Sequence, residues 1–339
     1  MEKIKVSLGE NSYYIYIGYH LEKIKREIEK LNFGNKFVIL SDKNVFKLYG
    51  EIVKKTLENK TVHCIVLSCG EKQKNFNNVL KIINQLVKFK INRDDTIINL
   101  GGGVINDIGG FVSSIYMRGI KYISIPTTLL AQVDASIGGK TGINLKFGKN
   151  LIGTFYQPSL VYIDLNTLDT LPYREIKQGI AELIKYGVIK NEKIFETLEK
   201  VKLKELKDNY EFLVKESVKV KVDVVEKDEK EKKGLREILN FGHTLGHGIE
   251  ITNIKKFSHG DAVCLGMIGE SYIAFKKGLC DNDVYIRIKN LGRKFKLKTS
   301  FEKLDLEKVI EFMKYDKKIK KGNLRFVLPE KIGKVIPGV

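Results

Sequence analysis

Two histidines, His243 and His247, stand four residues apart in LNFGHTLGHGIE (239–250), and the whole chain holds five. In a helix that spacing sets both imidazoles on one face. A third, His259, follows in FSHGDA, and Glu182 lies in GIAELIKYG amid an apolar helical face. A carboxylate buried there unpaired is costly, so Glu182 calls for a cation. Catalytic zinc takes three protein ligands and leaves one position open. The candidates are therefore two or three of these histidines with the acid. The competing reading is a set of capped or hydrogen-bonded histidines. An HExxH site is excluded, because Thr244 follows His243. His20 and His63 fall in the other half of the chain and read as structural.

A second chemistry lies upstream. Residues 99–110, NLGGGVINDIGG, run a strand through three glycines into a helix. Glycines let the backbone approach a phosphate, and the helix N-terminus carries partial positive charge. The pattern is not GxGxxG, so the plain Rossmann fingerprint is not met. A tight βα turn without a ligand is the alternative. In IPTTLLAQVDASIGGKTGINLKFGKNLIG (125–153), Thr127, Thr128, Lys140, Lys149 and Asn150 gather hydroxyls, cations and glycine-rich backbone. That set suits a dinucleotide plus an anionic substrate. Asp134 and Asn144 are polar within an otherwise apolar run, which implies a network or a ligand.

The elements that position these groups follow from periodicity. Residues 3–18 read as two short strands around a turn. Strand-like runs recur at 36–40, 63–67, 96–100, 122–125 and 160–163, with a helix-period segment at 77–89. Such alternation predicts a parallel, doubly wound sheet. From Leu171 amphipathic, charge-laced segments take over, and 226–234 reads as an exposed loop. The expected plan is an α/β, Rossmann-like nucleotide-binding domain over 1–170 and an all-α metal- and substrate-binding domain over 171–339.

Composition narrows the classes. The formal charge is +19, yet only eight of the 60 basic residues are arginine. The lysines are spread along the chain among glutamates, which argues for solvated faces and against a nucleic-acid partner. No apolar run approaches the ~18 residues of a membrane span, and the start, MEKIKVSLGE, has no apolar signal core. Cysteines at 64, 69, 264 and 280 form no CxxC pair, so free thiols and a cytoplasmic setting are expected.

In order, GGGVINDIGG, RGIKYISIPTTLLAQVDASIGGKTGIN, GKNLIGTFYQP, AELIKYG, LREILNFGHTLGHGIE, SHGDAV, DKK and KGNLRFVLP resemble 3-dehydroquinate synthase, within the sugar-phosphate cyclases, over residues 3–335. The resemblance implies NAD, a divalent metal (zinc or cobalt), a homodimer, and an active site in the cleft between a nucleotide-binding and a helical domain. It implies conversion of 3-deoxy-D-arabino-heptulosonate 7-phosphate to 3-dehydroquinate and phosphate, a step towards chorismate and the aromatic amino acids. Oxidation of the C5 hydroxyl acidifies the C6 proton, so that phosphate leaves; the same hydride is then returned, and ring opening and aldol closure follow.

By the same resemblance the metal ligands are Glu182, His243 and His259, and His247 contacts substrate instead. Nucleotide contacts map to Asp42, Gly70, Glu71, Lys72, Lys74, Gly103, Val104, Ile105, Asn106, Asp107, Thr127, Thr128, Lys140, Lys149, Thr167, Leu168, Asp169 and Thr170. Substrate contacts map to Asp134, Lys140, Asn150, Lys185, Lys221, Arg236, Asn240 and Lys317, with Arg118 reaching a partner's site. Asn106 departs from the family's usual glycine, and asparagine is expected to tolerate a positive φ there. The rival readings are another sugar-phosphate cyclase, such as a 2-deoxy-scyllo-inosose synthase-like enzyme, and a metal-dependent dehydrogenase of the glycerol-dehydrogenase type.

Overall fold

The strand-like runs of the first half come together in one seven-stranded sheet. The computed structural model describes residues 2–31, 33–145, 148–252, 257–302, 304–313 and 324–339. Its two compact units are Met1–Leu171 and Pro172–Val339.

In the first unit β1 (Glu2–Val6) and β2 (Tyr13–Ile17) form an antiparallel pair. Helix α1 (Ile24–Lys30), β3 (Lys36–Asp42), two short helices, α2 (Lys43–Val45) and α3 (Glu51–Lys55), and β4 (Thr61–Leu67) follow. Then come α4 (Phe76–Lys88), β5 (Thr96–Gly101), α5 (Gly103–Ile115), β6 (Lys121–Pro126), β7 (Lys140–Leu145), β8 (Gly148–Phe155) and β9 (Leu160–Ile163). The sheet order is β1-β2-β9-β6-β5-β3-β4, parallel at every pairing after the first.

Strands buried on both faces lose the apolar–polar alternation of a one-sided sheet. Every residue of β5 and of β9 is buried. Alternate residues of β3 serve opposite layers: Val38 and Leu40 pack in one apolar core, Phe37 and Ile39 in another. The chain leaves β3 for β4 on one side and then crosses to β5 on the other. Ligands of open α/β sheets collect beyond the carboxyl ends of strands at such a reversal. The glycine triplet follows β5 and Asp42 ends β3, so both lie at that reversal.

One element escaped the sequence pattern. β7 and β8 form a separate antiparallel ribbon, with Ile143 opposite Ile152. Gly142, Gly148 and Gly153 dilute its strand signal.

The second unit holds α6 (Tyr173–Ile189), α7 (Glu192–Lys200), α8 (Tyr210–Lys227), α9 (His243–Thr252), α10 (His259–Lys276), α11 (Asn282–Lys294) and α12 (Leu306–Met313). It is not purely helical: β10 (Val327–Lys331) and β11 (Lys334–Pro337) form a hairpin. Pro329, Pro337 and the surrounding lysines hide that pair from a strand search. Nor is 226–234 exposed throughout. α8 runs on to Lys227, and Asp228 is buried, accepting hydrogen bonds from the backbone N–H groups of Lys233, Leu235 and Arg236. Among the described residues no helix is long and apolar enough to cross a membrane.

α9 and α10 approach closely through glycine. A Cβ on Gly266 would lie 1.9 Å from the Gly242 carbonyl oxygen, and Gly242 itself needs a φ of +76° to start α9. Gly266→Ala should therefore push the two helices apart and cost about 1–3 kcal/mol, as overpacking does. Urea unfolding of the metal-free chain measures it. A change below ~0.5 kcal/mol, typical of a neutral surface substitution, would show that the close approach is not required.

Candidate metal centre and nucleotide-binding end

Glu182 sits at the middle of α6, where every residue from Gly179 to Ile189 is buried, and its own exposure is 0%. Burial would raise its pKa. The Lys185 ammonium one turn on, then His243 and His259, outweigh burial and hold the carboxyl well below its usual range. Lys185, itself buried, pairs with Oε2. Oε1 faces the histidines, 3.3 Å from His243 Nε2 and 3.4 Å from His259 Nε2.

Those spacings suit an ion. A tetrahedral centre with bonds of ~2.0–2.1 Å sets its ligand atoms about 3.3–3.4 Å apart. One ligand atom from each of Glu182, His243 and His259 lies within 4.8 Å of the others, and the donor set of two imidazoles and a carboxylate fits zinc or cobalt. Each histidine opens its helix, His243 in α9 and His259 in α10. The far ring nitrogen of His243 donates to the Phe241 carbonyl at 3.1 Å, which leaves Nε2 as the lone-pair side. Glu270 of α10, wholly buried, accepts from the N–H groups of Gly242 and Leu245 and so caps the start of α9. Ser258 caps α10.

His247 is on α9 beside His243, ring centroids 5.3 Å apart and nearly perpendicular, but outside that ligand group. Lys221 is buried on α8. Arg236 is buried too; its Nη1 donates to the Glu229 carbonyl at 2.7 Å, and Nε lies 3.6 Å from Glu231 Oε1. Asn240 is half-buried just before α9. Lys317 lies outside the described residues.

In the first unit the expected nucleotide contacts follow the carboxyl ends of successive strands. Asp42 closes β3 and accepts from the N–H groups of Asn44 and Val45, with the Cys69 thiol donating to it. Gly70, Glu71 and Lys72 follow β4 and are exposed. Gly103, Val104, Ile105, Asn106 and Asp107 open α5 after β5. The Ile105 side chain joins the apolar core, so its outward-facing group is the backbone. Thr127 and Thr128 follow β6, and Thr127 Oγ1 is buried with no hydrogen-bond partner in the protein. An orphaned hydroxyl at a sheet's carboxyl edge is what a bound dinucleotide would satisfy. Thr167, Leu168, Asp169 and Thr170 follow β9; Gln132 ties Thr167 Oγ1 to the Pro126 and Asp164 carbonyls, and Tyr49 meets Thr170 Oγ1 at 2.6 Å.

Lys74 and Asp107 meet each other at 2.6 Å, and Glu71 stands 3.6 Å from the same ammonium. Burial would lower Lys74, but the two carboxylates outweigh it and raise it, so it stays charged. Lys140 opens the β7–β8 ribbon, and Lys149 and Asn150 lie on its return strand. Asn150 has a φ of +52°, and its N–H donates to Asn144, which in turn donates to Glu71 at 2.7 Å. Asp134 is half-buried in the turn Ala131–Ala135.

Asn106 corrects an expectation. It is helical, within α5, and has no positive φ. Its amide nitrogen donates to the Gly101 and Gly102 carbonyls, 3.0 Å each, and its oxygen accepts from Ser124 of β6. It therefore ties the glycine turn to the next strand. Positive φ appears instead at Met117 (+51°) and Arg118 (+64°), so the exposed Arg118 is held in a left-handed turn after α5.

Two models of the 3-dehydroquinate synthase family match, the N-terminal one over residues 64–178 and the C-terminal one over 179–319. Curated relatives agree. The 3-dehydroquinate synthase of Dictyoglomus thermophilum is 47% identical, covering 99% of this chain and 94% of that protein. That of Helicobacter pylori is 44% identical over 98% and 94%. The chain belongs to the 3-dehydroquinate synthase family.

Solved structures extend the family's likeness to other cyclases. A 2-deoxy-scyllo-inosose synthase complexed with carbaglucose-6-phosphate, NAD+ and Co2+ superposes with a TM-score of 0.90 at 26% identity, covering 99% of this chain and 96% of that one. A 2-epi-5-epi-valiolone synthase from Streptomyces hygroscopicus subsp. jinggangensis, with NAD+ and Zn2+ bound, gives 0.87 at 27%, covering 98% and 93%. A probable glycerol dehydrogenase from Sinorhizobium meliloti shares the fold at 15% identity and a TM-score of 0.64, over 91% and 90%.

For this member of the synthase family, metal uptake should release a proton. Burial pushes His259 down, but the Glu182 and Glu250 carboxylates more than reverse it, raising it from 6.5 to about 10. His243 is lowered, burial outweighing Glu182, and needs no deprotonation at neutral pH. The metal-free fold thus draws stability from charged His259 below pH 6.5, and loses it as pH climbs towards 10. An ion must displace that proton, so apparent affinity should rise about tenfold per pH unit between roughly pH 7 and 9. Calorimetry in buffers of differing ionisation enthalpy counts the proton; a buffer-independent heat would refute this.

Proposed function

We propose that the chain converts 3-deoxy-D-arabino-heptulosonate 7-phosphate to 3-dehydroquinate and phosphate, using NAD and a divalent metal held by Glu182, His243 and His259. The observation that carries the reading is the convergence of those three ligand atoms, all within 4.8 Å of one another, in a chain that belongs to the family. Bound there, the two cofactors supply a hydride acceptor that later returns the hydride, and a Lewis acid for the hydroxyl being oxidised.

The chain's own residues do the rest. The glycine turn and the N-terminus of α5 receive the dinucleotide's phosphates, and Asp42 receives a ribose hydroxyl. Lys140 and Asn150, with Lys317, bind the substrate phosphate. Lys221 and Arg236 bind its carboxylate, with Asn240 beside them, while Lys185 and Asp134 hold its hydroxyls. His247, next to the metal ligands, contacts substrate and moves a proton. The reading includes a homodimer, a cytoplasmic setting consistent with four free thiols, and no nucleic-acid or membrane partner.

Phosphate release from the heptulosonate phosphate, in the presence of catalytic NAD and zinc, tests the proposal. Turnover without lasting NADH absorbance is expected, because the hydride is returned. Stoichiometric NADH would instead point to a dehydrogenase, and turnover only on glucose 6-phosphate or sedoheptulose 7-phosphate to another cyclase.

The left-handed Arg118 turn bears on the dimer, because a side chain fixed outward on strained backbone is poised to act elsewhere. Arg118→Ala and His259→Ala should each lose activity, and mixing the two should restore part of it through hybrid dimers with one intact site. A mixture no more active than its parts would remove Arg118 from a shared site.

A further inference from the structure

His243 and His259 offer the same nitrogen towards Glu182, but their far sides differ. His243 Nδ1 has a backbone carbonyl, Phe241, and His259 Nδ1 has a carboxylate, Glu250 Oε2, 3.4 Å away. Glu250 lies seven residues after His243, two turns along α9 and on the same face. It is 8% exposed, and burying a carboxylate is costly unless it does something there. Nothing in the proposed reaction uses it.

We propose that Glu250 is a positioning residue for the metal centre, holding His259 by Nδ1–H so that Nε2 presents its lone pair to the ion. The inference rests on the metal reading above and deepens it. A neutral imidazole carries one N–H, and the group that accepts it decides which nitrogen is left to coordinate. With Nδ1–H given to Glu250, Nε2 is the coordinating atom, and it is the atom already aimed at Glu182 Oε1. A carboxylate acceptor also draws the N–H proton more strongly than a carbonyl does, and so makes the opposite nitrogen more basic. His259 is thereby the stronger of the two imidazole donors.

The geometry adds a mechanical role. His259 stands 3.4 Å from a carboxylate on each side, Glu182 and Glu250. α9 supplies both a ligand, His243, and the brace for the ligand on α10. The separation of the two helices is then fixed at the metal centre as well as at the glycine contact. Glu250 does this without touching substrate or ion.

The test compares the full chain, stripped of metal, with Glu250→Gln and Glu250→Ala. Zinc affinity is read by competition with a chromophoric chelator, and the His259 tautomer by nitrogen-15 NMR of the zinc-loaded chains, in which the ring is neutral. Glu250→Ala should bind zinc about 10–100-fold more weakly. Glu250→Gln keeps an acceptor oxygen; it should lose less and preserve the Nδ1–H tautomer. Urea unfolding of the metal-free variants separates a stability loss from an affinity loss. Zinc affinity of Glu250→Ala within about twofold of the parent would overturn the inference while leaving the metal reading intact. Equal loss in both variants, with an unchanged tautomer in each, would overturn it too. A parent chain that takes up no zinc would overturn the metal reading, and this inference with it.

Discussion

A single carboxylate on the buried face of a helix sets the terms for the second unit. Moving Glu182 out of water costs several kcal/mol, which only close cations or strong donors can offset. Lys185 meets one oxygen from the next turn of the same helix. The other oxygen faces away from Lys185, where the charged His259 meets it and the Nε2 of His243 stands beside it, each from the first residue of a further helix. The packing follows from the same need, because α9 and α10 must come close enough to offer their first residues to one oxygen. Gly242 and Gly266 permit that approach, and Glu270 satisfies the N–H groups that the start of α9 would otherwise leave bare.

The charges around this centre are arranged in opposed pairs. Glu182 is answered by Lys185, and Glu250 is answered across the His259 ring. A divalent ion that displaces the His259 proton would therefore leave one positive charge more than the protein has cancelled. That surplus is what a hydroxyl losing its proton requires. The proton that His259 holds at neutral pH marks the same place, since a single positive charge occupies the site until a stronger one displaces it. In the first unit the logic is different. There the groups that follow the strand ends include backbone and hydroxyls, and Asn106 fastens the glycine turn to Ser124 on the neighbouring strand.

Much of this was legible in the residues. The apolar β-runs marked out the strands because a sheet covered on both faces needs continuous hydrophobic strands. Glu182 stood out because an acid in an apolar helical stretch demands an explanation. What was hidden depends on contacts between distant segments. The β7–β8 ribbon is built on glycines that carry no β-pattern, and the β10–β11 hairpin is disguised by prolines. Asn106 in a glycine-rich motif suggested a turn residue; its side chain proved to be a cross-tie, which depends on Ser124 eighteen residues away. Glu250 carried a readable signal, an acid on the same helical face as His243, but its partner lies on the next helix.

The two histidines of LNFGHTLGHGIE show why spacing informs and misleads at once. Four residues on a helix guarantee that His243 and His247 share a face, and their rings do lie 5.3 Å apart. Sharing a face is not sharing an ion, because coordination also requires each lone pair to aim at one point. His243 satisfies that with Phe241 behind it and Glu182 in front. The third atom of the candidate metal group belongs to His259, sixteen residues further on, on a different helix that approaches the same point from another direction. A tetrahedral site is easier to build from the ends of converging helices than from successive turns of one. His247, one turn past His243, stands beside that group and outside it. The probable glycerol dehydrogenase that shares this fold at 15% identity shows that the scaffold does not choose the reaction. That choice lies with the side chains the scaffold presents.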